Sequence, residues 1–164
     1  VRELRSNLGL TVSATTRAPR KGEVDGVNYF FLTREEFDRR VANGEFVEWA
    51  EVHGNCYGTL VSEVQSKLAS GSSLILEIDV QGALQVKERF PEAVLIFIKP
   101  PSLEVLRERL VGRGTETPET IELRMANAAD ELALADRYDD VVVNDDLDRA
   151  TDELVRVLDM HERI

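Results

Sequence analysis

"LILEIDVQGALQVKERFPEAVLIFI", residues 74–98, contains the pattern that decides the fold. Its two apolar runs, at 74–78 and 94–98, have the composition of short buried strands. Between them, "QGALQVKERF" places apolar residues every three or four positions, which is the spacing of an amphipathic helix. A strand, a helix and a second apolar strand in this order predict parallel strands connected by a helix. We therefore expect an α/β fold built on a parallel sheet.

The same alternation continues on both sides of this unit. Further buried strands are predicted at "LTVSA", residues 10–14, and at "DVVV", residues 140–143. Two more helices are predicted in "SLEVLRERLVG", with Ser102 as its N-cap, and "PETIELRMANAADELALAD", with Pro118 in its first turn. A last helix is predicted in "DRATDELVRVLDMHERI". These elements predict helices on both faces of the parallel sheet.

Residues from about 15 to 60 have a different pattern. "NYFFL" and "FVEWAEVH" mix polar and aromatic residues in near-alternation, as half-exposed antiparallel strands do. Between them, "TREEFDRRVANG" predicts a short helix in which Thr33 and Glu36 form a capping box and Gly44 ends the helix. We expect this segment to be a small α+β insertion that closes over a ligand at the strand ends.

Composition narrows the class of function. The chain of 164 residues has a net charge of −11, which argues against a general binder of nucleic acid or of anionic membranes. Its single cysteine, Cys56, excludes an intrachain disulfide, favours a reducing compartment and is expected to be structural. His53 and His161 lack partners at metal-ligand spacing. No apolar run has the length of a membrane span and no signal peptide is recognisable, so we expect a soluble cytoplasmic protein.

The first residues, "VRELRSNLG", have the pattern of the end of a helix, with Gly9 as its C-terminal stop. Because no N-cap precedes this pattern, we expect the sequence to begin in the middle of an element.

Cationic side chains concentrate in "TTRAPRK", residues 15–21. Arg17 and Arg20 flank Pro19, whose fixed φ stiffens the backbone between the two guanidinium groups. Arginine forks match phosphate oxygens with paired hydrogen bonds, so the segment fits a phosphate clamp. It also fits a solvated turn whose arginines offset nearby acids.

A candidate base-reading carboxylate lies in "EFVEWAEVHGNCYGT", residues 45–59. In a strand, Glu48 faces away from Trp49, and on a ligand-facing surface its carboxylate can accept two N–H bonds from one edge of a base. An ordinary hairpin with an acidic solvent face explains the same residues.

The glycines of this stretch predict a tight turn. Gly54 and Gly58 bracket Tyr57, so we expect the turn to present this phenol and then the hydroxyl of Thr59.

Glu77 and Asp79 are two residues apart at the end of a predicted strand, so they share a face. Carboxylates at such strand ends hold Mg²⁺-bound water or ligand hydroxyls in many α/β folds. An N-cap role for Asp79 is the alternative.

"RERLVGRGTETPETIELR", residues 107–124, contains four arginines. Gly112 and Gly114 flank Arg113, as in a hinged, mobile loop whose arginine can close on a phosphate during its transfer. For Arg107 we expect a solvated, salt-bridging role.

The order and spacing of these motifs are more specific than any one of them. "SATTRAPRKGEVDGVNYFF", "GEFVEWAEVHGNCYGT", "LILEIDVQG", "GRGTET" and "VVVNDDL" together strongly resemble the guanylate kinase family, close to its bacterial members. The resemblance covers essentially all 164 residues. It implies a P-loop-kinase-like core and transfer of the terminal phosphate of ATP to GMP, giving ADP and GDP, with Mg²⁺ as cofactor.

The resemblance also implies roles for individual residues. Arg17 and Arg20 would grip the GMP phosphate, together with the hydroxyl groups of Tyr29 and Tyr57. Guanine would be read by Ser13, Glu48 and Thr59. The carboxylate of Glu48 would accept from N1–H and the amino group. The acidic pair beside the nucleotide and the metal site would be Glu77 and Asp79.

On the ATP side, Arg109, Arg113 and Arg124 match the catalytic arginines that gather around the transferred phosphate. Arg109 and Arg113 are also implied to bind ATP, and Asn144 of "VNDD" matches a position near the ATP base. The metal ligands are not identified by the resemblance.

The resemblance implies one guanylate-kinase-like domain with two parts. Residues 1–14 and 74–164 would form the parallel-sheet core, with a mobile lid at about 112–125, and residues 15–73 the inserted GMP-binding subdomain.

One departure from the family is large. Its members carry a first strand and a Walker A loop, but no GxxxxGK[ST] occurs in these 164 residues. We expect that the sequence omits the N-terminal segment of a complete kinase and that the fragment alone is inactive. The alternative is a catalytically inactive guanylate-kinase-like binding module of a scaffold protein.

Overall fold

The computed structural model describes residues 8–114 and 116–162, which form two compact units that divide between Ala93 and Val94. Both units combine helices with parallel strands, so the predicted α/β class is confirmed. None of the described helices is long and apolar enough to cross a lipid bilayer.

The first unit contains six strands and three helices in its described part. In chain order they are β1 (Leu8–Leu10), β2 (Ala14–Thr15), β3 (Phe30–Phe31), α1 (Arg34–Ala42), β4 (Phe46–Val52), β5 (Asn55–Leu60), α2 (Val61–Ala69), β6 (Ser73–Ile75) and α3 (Val80–Arg89). Strands β1 and β6 pair in parallel, and the other four form a sheet in the order β3-β2-β5-β4.

The second unit is built on one parallel strand pair, β7 with β8. Its described elements are β7 (Ile96–Lys99), α4 (Leu103–Gly112), α5 (Pro118–Ala133), a 3-10 turn (Ala135–Arg137), β8 (Asp140–Val143) and α6 (Leu147–Glu162). The prediction of a strand at residues 140–143 is confirmed, and the strand predicted at 94–98 lies at Ile96–Lys99.

The four-stranded sheet is mixed rather than purely antiparallel. β5 pairs antiparallel with β2 and β4, but β3 runs parallel to β2 because the amides of Phe30 and Leu32 donate to the carbonyls of Ser13 and Thr15. A buried apolar cluster lies on the sheet, and within it the rings of Phe37 and Phe46 stack with centroids 4.5 Å apart.

Cys56 belongs to the same buried cluster. Burial raises the pKa of its thiol, which disfavours the reactive thiolate and agrees with the structural role expected from the sequence.

The helix boundaries follow the predicted capping residues. The side chains of Thr33 and Ser102 accept hydrogen bonds from the amides of Glu36 and Val105, and Pro118 occupies the first turn of α5. Only the Thr33 half of the predicted capping box forms, because the Glu36 carboxylate accepts from Arg39 and Arg40 rather than from the Thr33 amide, and these arginines lower its pKa to about 2. Local sequence alone therefore defined where these helices begin.

The predicted helix end at Gly9 is wrong. Gly9 lies inside β1, paired with Leu74, and does not end a helix; residues 1–7 lie outside the described residues. The predicted strand at 10–14 is divided between two sheets, because α2 takes over the intervening hydrogen bonds: Glu63 accepts from the amide of Val12.

Two further differences concern the segment around α2. Helix α2 was not predicted, although Val61, Val64 and Leu68 have helical spacing. Strand β6 ends at Ile75, three residues before the predicted end at position 78, and residues 76–79 lead into the first turn of α3.

Candidate functional site

A cavity of about 200 Å³ lies in the first unit, bounded by β4, β5 and the segment that precedes α3. Six residues predicted from the sequence to bind a nucleotide line it: Ser13, Tyr29, Glu48, Tyr57, Glu77 and Asp79. A seventh, Thr59, is buried and contacts the carboxylate of Glu48. The fold thus brings together residues that are far apart in the sequence, since Ser13 and Asp79 line the same cavity.

Glu48 is the buried acid of this cavity. It is only 5% exposed, whereas the neighbouring Trp49 is 38% exposed, as expected for opposite faces of a strand. Glu48 Oε1 accepts from Thr59 Oγ1 at 2.7 Å. Burial raises the pKa of Glu48; the Thr59 hydrogen bond offsets part of this rise, and the charge of Asp79 adds to it. The site therefore holds a carboxylate that gains from additional N–H donors.

A β-bulge determines the direction of the Glu48 side chain. Phe46 pairs with Leu60 and Glu48 pairs with Thr59, so β4 contains one extra residue, Val47, between the two pairs. All three β4 residues from Phe46 to Glu48 are buried, whereas a regular strand with one exposed face would alternate buried and exposed residues. Val47 packs against α2 and α3, and Glu48 lines the cavity. No sequence signal identified this bulge.

Arg17 lies beside the cavity and is held by an acid that the sequence analysis did not single out. Its guanidinium donates to both carboxylate oxygens of Glu23, at 2.9 and 3.0 Å, and stacks 5.3 Å from the ring centre of Tyr29. The hydrogen bond to Glu23 raises the pKa of Arg17, and the same bond lowers the pKa of Glu23. The backbone amide of Arg20 donates to Glu23 as well, at 2.7 Å.

Glu23 thus links the guanidinium of Arg17 to the backbone amide of Arg20, so both predicted phosphate-binding arginines are held in one loop. The position of this acid, six residues after Arg17 in a polar turn, is the only sequence signal that could have drawn attention to it. Contacts with Glu23 and Tyr29 fix the orientation of the Arg17 guanidinium, whereas the side chain of Arg20 is exposed.

The turn predicted around Tyr57 lies elsewhere. His53 and Gly54, with φ of 52° and 80°, form the two-residue turn between β4 and β5. Gly58 lies within β5, where a Cβ would be 2.7 Å from a ring carbon of Phe46 and 2.8 Å from the carbonyl oxygen of Glu48. Gly58 is thus required by the close approach of β4 rather than by a turn.

Asp79 has the N-cap role considered as an alternative. Its carboxylate accepts from the amide of Gly82 at 2.8 Å and begins α3. Gly82 also leaves room for the buried acid, because a Cβ there would lie 2.7 Å from Glu48 Oε2. Asp79 and Glu77 nevertheless both line the cavity, so capping does not remove Asp79 from the candidate site.

Two arginines of the second unit form ion pairs on α4 and α5. Arg107 pairs with Glu122, which confirms the salt-bridging role expected for it. Arg124 pairs with Glu116 at 2.9 Å. The carboxylate of Glu116, which precedes the N-cap of α5, thus holds one of the predicted catalytic arginines.

The remaining predicted residues of this unit lie at the ends of α4 and β8. Arg109 Nη2 is 3.5 Å from the carbonyl oxygen of Asp145, and Arg113 is exposed immediately after α4. Asn144 follows β8, where its amide donates to the carbonyl of Lys99 at 2.8 Å.

No group of three or more His, Cys, Asp or Glu side chains suited to a metal ion occurs among the residues the structure describes. The carboxylates available in the cavity are those of Glu48, Glu77 and Asp79. Magnesium commonly binds through one or two carboxylates, several waters and the phosphates of a nucleotide, so the pair of Glu77 and Asp79 fits a Mg²⁺ ion that enters with a nucleotide.

Comparison with known proteins adds to this geometry. Residues 1–161 match the family model described as guanylate kinase. The chain is 54% identical over 153 residues to the guanylate kinase of Halalkalibacterium halodurans, covering 93% of this chain and 75% of that protein. It is 56% identical over 158 residues to the guanylate kinase of Gloeobacter violaceus, covering 96% and 77%. The crystal structure of guanylate kinase from Anaplasma phagocytophilum matches with a TM-score of 0.77 and 40% identity, covering 97% of this chain and 78% of that one.

Proposed function

Because this chain belongs to the guanylate kinase family, we propose that it binds GMP in the cavity around Glu48 and supplies the acceptor side of a kinase. That kinase transfers the terminal phosphate of ATP to GMP, giving ADP and GDP. The observation that carries the proposal is a buried carboxylate, fixed by Thr59, at the wall of a cavity that also contains Ser13 and two tyrosines.

The chemistry of guanine suits this carboxylate. Guanine presents two adjacent donors, N1–H and the 2-amino group, and an ionised Glu48 can accept both. Each bond replaces solvation that Glu48 has lost on burial, so the interaction stabilises its charged form. Adenine has a lone pair at N1, which Glu48 would repel. Sites built around such bonds discriminate against analogues that lack them by about 10⁴-fold.

The phosphate of GMP would occupy the region of Arg17 and Tyr29. In the structure two N–H groups of Arg17 donate to the two carboxylate oxygens of Glu23, and two oxygens of a phosphate can accept from a guanidinium in the same paired way. We propose that the GMP phosphate binds the same arginine from the cavity side, with Arg20 and the hydroxyl groups of Tyr29 and Tyr57 completing the clamp.

The ATP side is assigned to the second unit. Arg109, Arg113 and Arg124 are proposed to neutralise charge on the phosphate during its transfer, and Asn144 to lie near the ATP base. Phosphoryl transfer depends almost entirely on such positioning and charge stabilisation. Mg²⁺ is expected to enter with ATP and to neutralise phosphate charge, and Glu77 and Asp79 are the carboxylates proposed to bind its water ligands.

Catalysis by residues 1–164 alone is expected to be negligible. In P-loop enzymes the ATP phosphates are bound by the backbone amides and the lysine of the Walker A loop, and no GxxxxGK[ST] occurs in these residues. Removing a single preorganised donor typically slows a reaction by about 10²–10³-fold, and here several would be missing together. GMP recognition would remain, because every proposed GMP contact lies between Ser13 and Asp79.

The test is an assay of ADP formation from ATP and GMP with two proteins. One is the chain of residues 1–164, and the other carries a Walker A strand, loop and helix start fused upstream of Val1. We expect GMP binding by both proteins and turnover by the fused protein alone, with GMP strongly preferred over AMP. Comparable turnover by the two would contradict the assignment of the ATP phosphates to a Walker A loop. GMP binding without turnover by a correctly folded fusion would favour a binding module instead.

A further inference from the structure

The carboxylate proposed to read guanine lies on a strand that needs outside support. β4 is the edge strand of its sheet, and Glu48 directly follows the bulge at Val47. A bulge interrupts the hydrogen-bond ladder, and an edge strand has a partner strand on one side only. The β5 ladder alone therefore constrains the backbone around Glu48 less than it would constrain a regular central strand.

Helix α3 supplies this support on the other side of β4. The side-chain amide of Gln85 makes both hydrogen bonds that a neighbouring strand would make to Trp49: its Nε2 donates to the Trp49 carbonyl at 3.1 Å, and its Oε1 accepts from the Trp49 amide at 3.2 Å. Arg89, one turn later, donates to the carbonyl of Phe46 at 2.7 Å. The two side chains thus hold the backbone on either side of the bulge.

We propose that Gln85 is a positioning residue for guanine selection, which acts by holding the backbone of Trp49 so that the carboxylate of Glu48 keeps its aim into the cavity. This inference rests on the proposed GMP site. A side-chain amide that bonds both the N–H and the C=O of one residue fixes the rotation of the adjoining peptides, and one of these peptides joins Trp49 to Glu48. Displacements of about 1 Å at a site of this kind can reduce function by about 10²-fold.

The inference is tested by comparing the binding of GMP and IMP, measured calorimetrically with the parent chain and with Gln85→Leu. Leucine has a similar size and makes neither hydrogen bond. IMP lacks the 2-amino group, so its binding depends less on the aim of Glu48. We expect Gln85→Leu to weaken GMP binding by about tenfold and IMP binding by less, so that the preference for GMP over IMP contracts.

Two controls separate positioning from general damage. Gln65→Leu, at an exposed position of α2, makes the same chemical change away from the cavity and is expected to leave both affinities unchanged. In a Glu48→Gln background, Gln85→Leu should no longer change the GMP-to-IMP ratio, because the residue through which it acts is already altered. If Gln85→Leu does not fold, Gln85→Glu keeps the acceptor for the Trp49 amide, loses the donor and is expected to contract the ratio to a smaller extent.

A preference for GMP over IMP that survives Gln85→Leu, or in the alternative Gln85→Glu, would overturn the inference while leaving the proposed GMP site intact. Equal weakening of both ligands would do the same, since it would mean that Gln85 only stabilises the fold. A parent chain with no preference for GMP over IMP would overturn the proposed guanine-reading role and this inference together.

Discussion

At the scale of single residues, function and stability oppose each other at Glu48. Its carboxylate is buried, and burial raises its pKa above the ordinary value of 4.5. Between 4.5 and the raised value the native state binds more protons than the unfolded state, so stability falls as the pH rises through this interval. Above the raised pKa, Glu48 is ionised in both states, and the full free-energy cost of burying its charge remains. The charge that would attract guanine therefore destabilises the unliganded protein.

Glu48→Gln is expected to raise the Tm at about pH 7 while abolishing tight GMP binding. Glutamine retains an oxygen for the Thr59 hydroxyl but carries no charge to desolvate. The gain in Tm should shrink as the pH falls and disappear below the ordinary glutamate pKa, where the parent is protonated in both states. Thermal unfolding as a function of pH measures this, with Glu92→Gln, in an exposed loop, as the control. A gain that is absent near neutral pH or grows in acid would show that burial of this charge is not the cause.

Arg17→Lys preserves charge but removes the planar fork. Lysine cannot bond both oxygens of one anion in the same plane, so we expect GMP affinity to fall by about 1.5–3 kcal/mol, which corresponds to roughly 10- to 150-fold. Calorimetric titration measures the loss. Arg39→Lys, the same substitution at an exposed position of α1, should have no effect on GMP. Unchanged GMP affinity in Arg17→Lys would mean that residues 17–23 form only a solvated turn.

The sequence indicated the chemistry of these residues but not all of their partners. Glu48 and Arg17 could be proposed because carboxylates and guanidinium groups have characteristic ligands. Glu23 and Gln85 could not, because their contacts depend on the path of a loop and on the docking of α3 against β4. Such contacts are set by tertiary structure and have no fixed spacing in the sequence.

At the scale of elements, the β4–β5 hairpin contains a non-glycine residue with a positive φ. His53 adopts a φ of 52° at the first central position of the turn, where glycine and asparagine are the residues most favoured. We expect His53→Asn to stabilise the protein by a few tenths to about 1 kcal/mol without changing GMP affinity, since His53 is exposed. Chemical denaturation provides the measurement, with His53→Val as the opposite case, because a β-branched residue resists this φ. A lower stability for His53→Asn than for the parent would contradict this account of the turn.

Local and long-range features of the elements differed in how well they could be predicted. The N-caps at Thr33, Ser102 and Asp79 could be recognised, because a capping side chain bonds an amide two or three residues away. The parallel pairing of β2 with β3 and the bulge at Val47 could not, since each depends on which strand lies alongside.

At the scale of the whole molecule, the chain combines a net charge of −11 with a cationic loop beside its cavity. Salt screening limits the reach of exposed charges to about 8–10 Å at moderate ionic strength, so the acidic surface does not prevent local binding of an anion. The composition argued against general nucleic-acid binding, and the order of the motifs identified the family, which the comparisons confirm. Neither composition nor motif order defined the division after Ala93.

The position of bound GMP tests the proposed site most directly, and a crystal structure of the chain with GMP measures this position. We predict that N1 and the 2-amino nitrogen of guanine lie within hydrogen-bond distance of the Glu48 carboxylate, and that the phosphate contacts the guanidinium groups of Arg17 and Arg20. The Thr59 hydroxyl should remain bonded to Glu48 or move onto the base. Guanine bound away from Glu48, or a phosphate that contacts neither arginine, would contradict the proposed site.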